Sequence, residues 1–130
     1  MDKKETGKLG EQSAASFLAG KGFTVIDRNI RSGHLETDII AKNERNIIFV
    51  EVKTRREFPN AHSRFGRPAS AVDRKKQMRL IAAAEEYMRR NRETVGELIP
   101  RIDVIEVYLS PETDDYKVLK ILHMENAVHR

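Results

Sequence analysis

Two acids and a lysine lie inside apolar runs of this chain, and their types and spacing suit a reaction. One run begins Asp38-Ile39-Ile40, and the other is Ile47-Ile48-Phe49-Val50-Glu51-Val52-Lys53. Both runs read as buried strands. An unpaired charge in such a place is costly, so a fold keeps one there only with a partner, a metal or a task. An acid on one strand, followed by acid-x-lysine on the next, suits metal-dependent hydrolysis of a phosphodiester. The carboxylates would hold a divalent cation. The lysine would stand beside the attacking water or the developing phosphate charge.

Strand geometry sharpens the pattern. Alternate side chains share a face, so Glu51 points with Lys53 and Glu36 points with Asp38. If a hairpin pairs the two strands, Asp38 comes close to Glu51. Two carboxylates held together repel, and one pKa rises unless a cation sits between them. Mg²⁺ needs only one or two protein carboxylates and keeps several waters, which leaves room for a phosphate oxygen and a nucleophilic water. The rival reading is a buried Glu51–Lys53 or Asp38–Lys53 ion pair without chemistry.

The elements that must position these residues are legible from periodicity and breakers. Residues 6–21 read as a helix, with Leu9, Ala14, Phe17 and Leu18 on one face and Gly20 and Gly22 as stop signals. A first strand is expected over 23–26, a polar basic turn over 28–33, a second strand over 35–41 and a third over 47–54. Residues 55–68 read as a long irregular stretch carrying Arg55, Arg56, Arg64 and Arg67. A connection of that length in a small domain suits a functional or mobile loop. Its Phe58 and Phe65 suit either stacking on unpaired bases or anchoring of the loop to the core. The longest helix is expected over 71–92, with Val72, Leu80, Ala83, Ala84 and Tyr87 as its apolar stripe. Strands over 102–108 and 117–123 follow, the last at an edge. This order predicts an α/β fold, a mixed central sheet flanked by helices.

Size and composition bound the function. The chain has 130 residues, which suits one domain spanning 1–130. Lys and Arg number 24 against 20 Asp and Glu, a net charge of +4 that favours a polyanionic partner. Cysteine is absent, which excludes disulfides and thiolate metal sites, and the four histidines are scattered without a zinc-type pair. There is no apolar run of membrane-spanning length. The start leads into no signal-peptide apolar region, so a cytoplasmic protein is the expectation.

Asp38, twelve intervening residues, then Glu51-Val52-Lys53 resembles the PD-(D/E)xK nuclease signature, with Thr37 where the proline would stand. A closer likeness spans almost the whole chain. Gly7-Lys8-Leu9-Gly10-Glu11, Glu36-Thr37-Asp38-Ile39-Ile40-Ala41, Phe49-Val50-Glu51-Val52-Lys53-Thr54-Arg55, Val72 with Lys76-Gln77, and Arg101-Ile102-Asp103-Val104 occur in that order. Together they resemble uncharacterised protein family 0102, the bacterial YraN-like proteins. Leu35 stands where that family usually has glycine.

The resemblance implies a restriction-endonuclease-like fold close to that of Holliday-junction resolvases. It implies Mg²⁺ or Mn²⁺ held by Asp38, Glu51 and the Val52 carbonyl, with Glu11 reaching the same metal. Lys53 would orient or deprotonate water, or stabilise the phosphorane. Arg55, Arg56, Arg64, Arg67, Lys76 and Gln77 would contact nucleic acid, with DNA the expected partner. The family carries no settled activity. A non-catalytic nucleic-acid-binding module and a basic adaptor protein therefore stand as alternatives, and a homodimer is open to it. Asp103 is expected to bond Arg101 or nearby backbone.

Overall fold

The computed structural model describes residues 2–59, 72–111 and 116–129. Within them, α1 (Lys3–Gly20) precedes a meander of β1 (Thr24–Ser32), β2 (Leu35–Lys42) and β3 (Asn46–Arg56). Next come α2 (Arg74–Arg90), the short α3 (Arg92–Val95), β4 (Ile99–Leu109) and β5 (Val118–Val128). The strands form one sheet in the order β1-β2-β3-β4-β5. Pairing is antiparallel except between β3 and β4, which run parallel. That parallel pair needs a crossover, and α2 supplies it. The expected α/β class with a mixed sheet flanked by helices is therefore the observed one.

Helix ends are set by local chemistry. Asp2 accepts the Glu5 N–H at 2.8 Å and caps α1. At its other end the Gly22 N–H reaches the Ala19 carbonyl and the Phe23 N–H reaches the Leu18 carbonyl. That double closure needs a left-handed residue, and Gly22 supplies it with φ +96°. Asp73 caps α2 by accepting the Lys76 N–H at 2.8 Å. The helix thus starts two positions later than its apolar stripe suggests, counting from Val72.

Each face of the sheet has its own core. Ala14 and Leu18 of α1 pack on Ile39, Ala41, Ile48, Val50, Ile105 and Val107. On the opposite face Leu80, Ile81 and Ala84 of α2 pack on Ile40, Ile47, Phe49, Ile102 and Val104. Apolar residues on both faces explain why the central strands read as near-continuous hydrophobic runs. Tyr87 ties α2 to the sheet edge through its hydroxyl, which donates to Asp27 at 2.9 Å, while its ring meets Phe49 edge-on.

Three expectations are corrected. Residues 28–32 are not a turn but the second half of β1, and the chain reverses at Gly33-His34. Edge position hid this strand: its polar residues face water, and a register break after Val25 plus Asn29 at φ +51° spoil the alternation. The irregular stretch starts after Arg56 rather than at Arg55. The edge strand β5 runs on to Val128, past a left-handed Asn126. Among the described residues, no helix is long and apolar enough to cross a membrane.

Candidate active site

The site is built where β2 leaves β3. Their ladder ends at the pair Ile39↔Val50, so Asp38 and Glu51 stand opposite each other one step beyond it. Past that point β3 continues to Arg56 and keeps only its β4 neighbour among the described residues. Burial along β3 changes at the same place, from buried through Glu51 to half-buried from Val52 onward. The first freed N–H, that of Val52, is taken by the Asp38 carboxylate at 2.8 Å. Asp38 thereby caps the open edge of β3 and is held facing Glu51.

The electrostatics of the pair are unfavourable within the chain itself. Burial pushes the Asp38 carboxyl up, and the nearby Glu51 charge pushes it further, to about 7, against the single Val52 hydrogen bond. Glu51 is only 5% exposed. Its Oε2 lies 3.6 Å from the Lys53 ammonium and 3.6 Å from that of Lys76. Lys53 comes from the next outward position on the same strand face. Lys76 comes from the first turn of α2, where the Asp73 cap fixes it. Both distances exceed a direct hydrogen bond, so the lysines offset the Glu51 charge without saturating its oxygens.

Glu11 approaches from the α1 side. Gly10 is what lets α1 come this close, since a Cβ there would overlap the Thr54 side chain of β3. The Glu11 carboxyl is shifted upward, first by burial and then by the Asp38 charge, while Arg28 and a bond with Asn29 pull it down. It feels the pair but does not complete it. Among the described residues, no set of three or more acid, histidine or cysteine side chains converges in a metal-binding group. The donor set that fits a cation is therefore two carboxylates and a backbone carbonyl, with water for the rest. That is an Mg²⁺-type set.

The remaining residues named from sequence separate. Arg55 shares the face of Glu51 and Lys53, and its Nε donates to Glu106 at 2.8 Å. Arg56 faces the other way, lining a groove of about 490 Å³ with Glu11, Val52, Thr54 and Lys3, and one Nη donates to the Ser110 carbonyl. Gln77 donates its amide to the Val72 carbonyl and accepts from Arg74, so it organises the start of α2. Arg64, Arg67 and Phe65 lie outside the described residues. Phe58 is 57% exposed and anchors no loop to the core. Glu36 pairs with Arg31 at the β1–β2 turn.

One residue of this neighbourhood was missed. Glu106 is fully buried on β4, directly across from Lys53 in the parallel register. Its signal was the one that exposed Glu51, a charge inside an apolar run, here Val104-Ile105-Glu106-Val107.

Fold and site together define an α/β protein with a facing carboxylate pair, one member buried and one half-buried, at an open strand edge. The chain belongs to Uncharacterised protein family UPF0102, whose sequence profile matches residues 10–107. A UPF0102 protein of Caldanaerobacter subterraneus is 37% identical over 127 residues, covering 98% of this chain and 97% of that one. One of Alkaliphilus oremlandii is 42% identical over 124 residues, covering 95% and 97%. Among solved structures, SfsA of Pyrococcus furiosus in complex with Ca²⁺ is similar at 18% identity and a TM-score of 0.45. That alignment covers 93% of this chain and 64% of the other.

Proposed function

We propose that this protein is a metal-dependent endonuclease of the restriction-endonuclease-like superfamily, hydrolysing DNA phosphodiester bonds, with branched or otherwise unusual DNA as its preferred substrate. The observation that carries the reading is the Asp38–Glu51 pair: two facing carboxylates, Glu51 buried and Asp38 half-buried with its pKa raised to about 7, at an open strand edge. Such a pair is unfavourable without a cation and favourable with one.

Asp38, Glu51 and the Val52 carbonyl would hold Mg²⁺ or Mn²⁺. When bound, the ion polarises the phosphate and makes a bound water more acidic. The rest falls to the chain's own side chains. A water oxygen bonds to phosphorus as the opposite P–O bond breaks; the water gives up a proton to solvent, and the departing oxygen takes one from solvent and leaves as an alcohol. Lys53 holds its ammonium next to Glu51, where it offsets charge building on the phosphoryl oxygens. Lys76 stands over the same carboxylate from the α2 side.

A second reading is a nucleic-acid-binding module without turnover, favoured by the two lysines that already flank Glu51. An end-labelled panel decides between them: four-way junction, flap, duplex, single strand and RNA, each with Mg²⁺, Mn²⁺ or EDTA. Cutting that needs metal and vanishes in Glu51→Gln supports the nuclease. Binding without any cutting supports the module.

A further inference from the structure

We infer that Glu106 is a positioning residue of this site, which holds Arg55 for the substrate phosphate next to the one beside Lys53. The inference rests on the proposed function and extends it to a second phosphate contact and to the residue that builds it.

Glu51, Lys53 and Arg55 occupy every second position of β3, so they form a row along one face. Successive members of such a row are roughly 6.6 Å apart, two strand residues at 3.3 Å each. That matches the step between neighbouring phosphates along one nucleic-acid strand. If Lys53 serves the scissile phosphate, Arg55 is spaced for the next one outward. Its guanidinium must then be held still with one edge free, because a bidentate phosphate contact needs a fixed plane.

Glu106 does that holding. Its side chain is fully buried, and its Oε2 accepts the Arg55 Nε at 2.8 Å. The Tyr108 hydroxyl donates to the same oxygen from 3.5 Å and braces it. Only the Nε edge of Arg55 is engaged among the described residues, and the side chain is 24% exposed.

Stability does not explain the arrangement. Glu106 Oε1 is buried and has no hydrogen-bond partner among the described residues. A fully desolvated carboxylate with one oxygen unpaired, matched to one half-buried arginine, is a poor way to stabilise a sheet. An apolar side chain of similar size would pack at least as well. The acid therefore serves the orientation of Arg55.

The test is binding of a fluorescein-labelled DNA duplex, followed by anisotropy across a salt series in EDTA so that nothing is cut, beside thermal melting. Arg55→Ala is expected to weaken binding about tenfold, the loss of one charged hydrogen-bonding contact. It should also lower the slope of log affinity against log salt by about one. Glu106→Leu, in protein that stays folded at the assay temperature, is expected to reproduce both effects. Glu106→Gln keeps an acceptor for Nε and should recover part of the affinity. The double variant Arg55→Ala/Glu106→Leu should bind no worse than Arg55→Ala alone, because Glu106 acts through Arg55.

Should Glu106→Leu fail to fold, Glu106→Gln decides: affinity between wild type and Arg55→Ala supports the inference, and wild-type affinity overturns it. Additive losses in the double variant, or a lower melting temperature with unchanged binding, would also overturn it. A wild-type protein without salt-dependent DNA binding overturns both this inference and the function it rests on. A loss in Arg55→Ala that Glu106→Leu does not share overturns the inference alone.

Discussion

Two strand aspartates, the half-buried Asp38 on β2 and the fully buried Asp103 on β4, have opposite surroundings. Burial alone would raise the Asp103 carboxyl, but His123, Arg101 and the Asn126 N–H outweigh it and hold the group below the usual carboxylate range. Arg101 meets it with both nitrogens at 2.9 Å, His123 Nε2 lies at 2.7 Å, and the Asn126 N–H donates at 2.9 Å. Lys21 stands 2.8 Å from the other histidine nitrogen, so that nitrogen accepts and Nε2–H donates to Asp103. Every demand of Asp103 is met from within the chain. Asp38 has one backbone N–H and an acidic neighbour, and its pKa climbs to about 7. The contrast teaches how to sort strand acids: one whose counter-charges are built in is structural, and one that faces another acid is the candidate for a functional role.

The largest effect should come from damaging the satisfied aspartate. Asp103→Ala strands Arg101, His123 and the Asn126 N–H, and is expected to cost about 3–5 kcal/mol in urea unfolding, as breaking a buried ion pair does. Glu51→Gln should leave unfolding in EDTA near wild type. Equal losses in the two variants would erase the distinction. Next in size, Lys53→Ala is expected to slow single-turnover cleavage by about 100-fold at saturating Mg²⁺, the usual cost of removing one charge-stabilising donor. Undiminished cleavage would remove Lys53 from the reaction.

Gly10→Ala tests how α1 reaches the site. The added carbon overlaps Thr54, and overpacking of this kind costs about 1–3 kcal/mol. Thr54→Ala in the same chain should restore only part of it, because the Thr54 Cβ would itself lie 2.8 Å away.

The smallest effect separates the aspartates by pH. A folded carboxyl raised from about 3.9 to about 7 binds more protons than the unfolded chain across that window. Metal-free stability therefore falls as pH rises through it. Asp38→Asn should match wild type near pH 4 and melt higher than wild type above pH 7. Asp103 has the opposite sign: its contribution is present at neutral pH and is lost as the solution falls below the ordinary carboxylate range. Melting curves of Asp38→Asn parallel to wild type at all pH values would show that the pair is not strained.

Much of this was legible in sequence because the decisive residues break a strong pattern. A charge in a run such as Ile47–Val50 stands out, and the 42–46 hairpin connection predicts that Asp38 faces Glu51. The Arg101–Asp103 bond could be expected too, since the two share a strand face. His123 could not be assigned to Asp103, because that contact joins strands whose register depends on residues far apart in sequence. Arg55 and Arg56 looked equivalent as a pair, yet strand alternation sends them to opposite faces once β3 is seen to extend through both. Lys76 looked like a phosphate contact, and only the crossover of α2 shows that it stands over Glu51.

The most direct test is isothermal titration of Mn²⁺ into wild type, Asp38→Asn, Glu51→Gln and Asp103→Asn at pH 7.5, each first shown by melting to be folded. If the facing acids are a cation seat, wild type and Asp103→Asn bind one equivalent, and Asp38→Asn and Glu51→Gln bind none. Heat from wild type that persists in Glu51→Gln, or no binding in folded wild type, would contradict it.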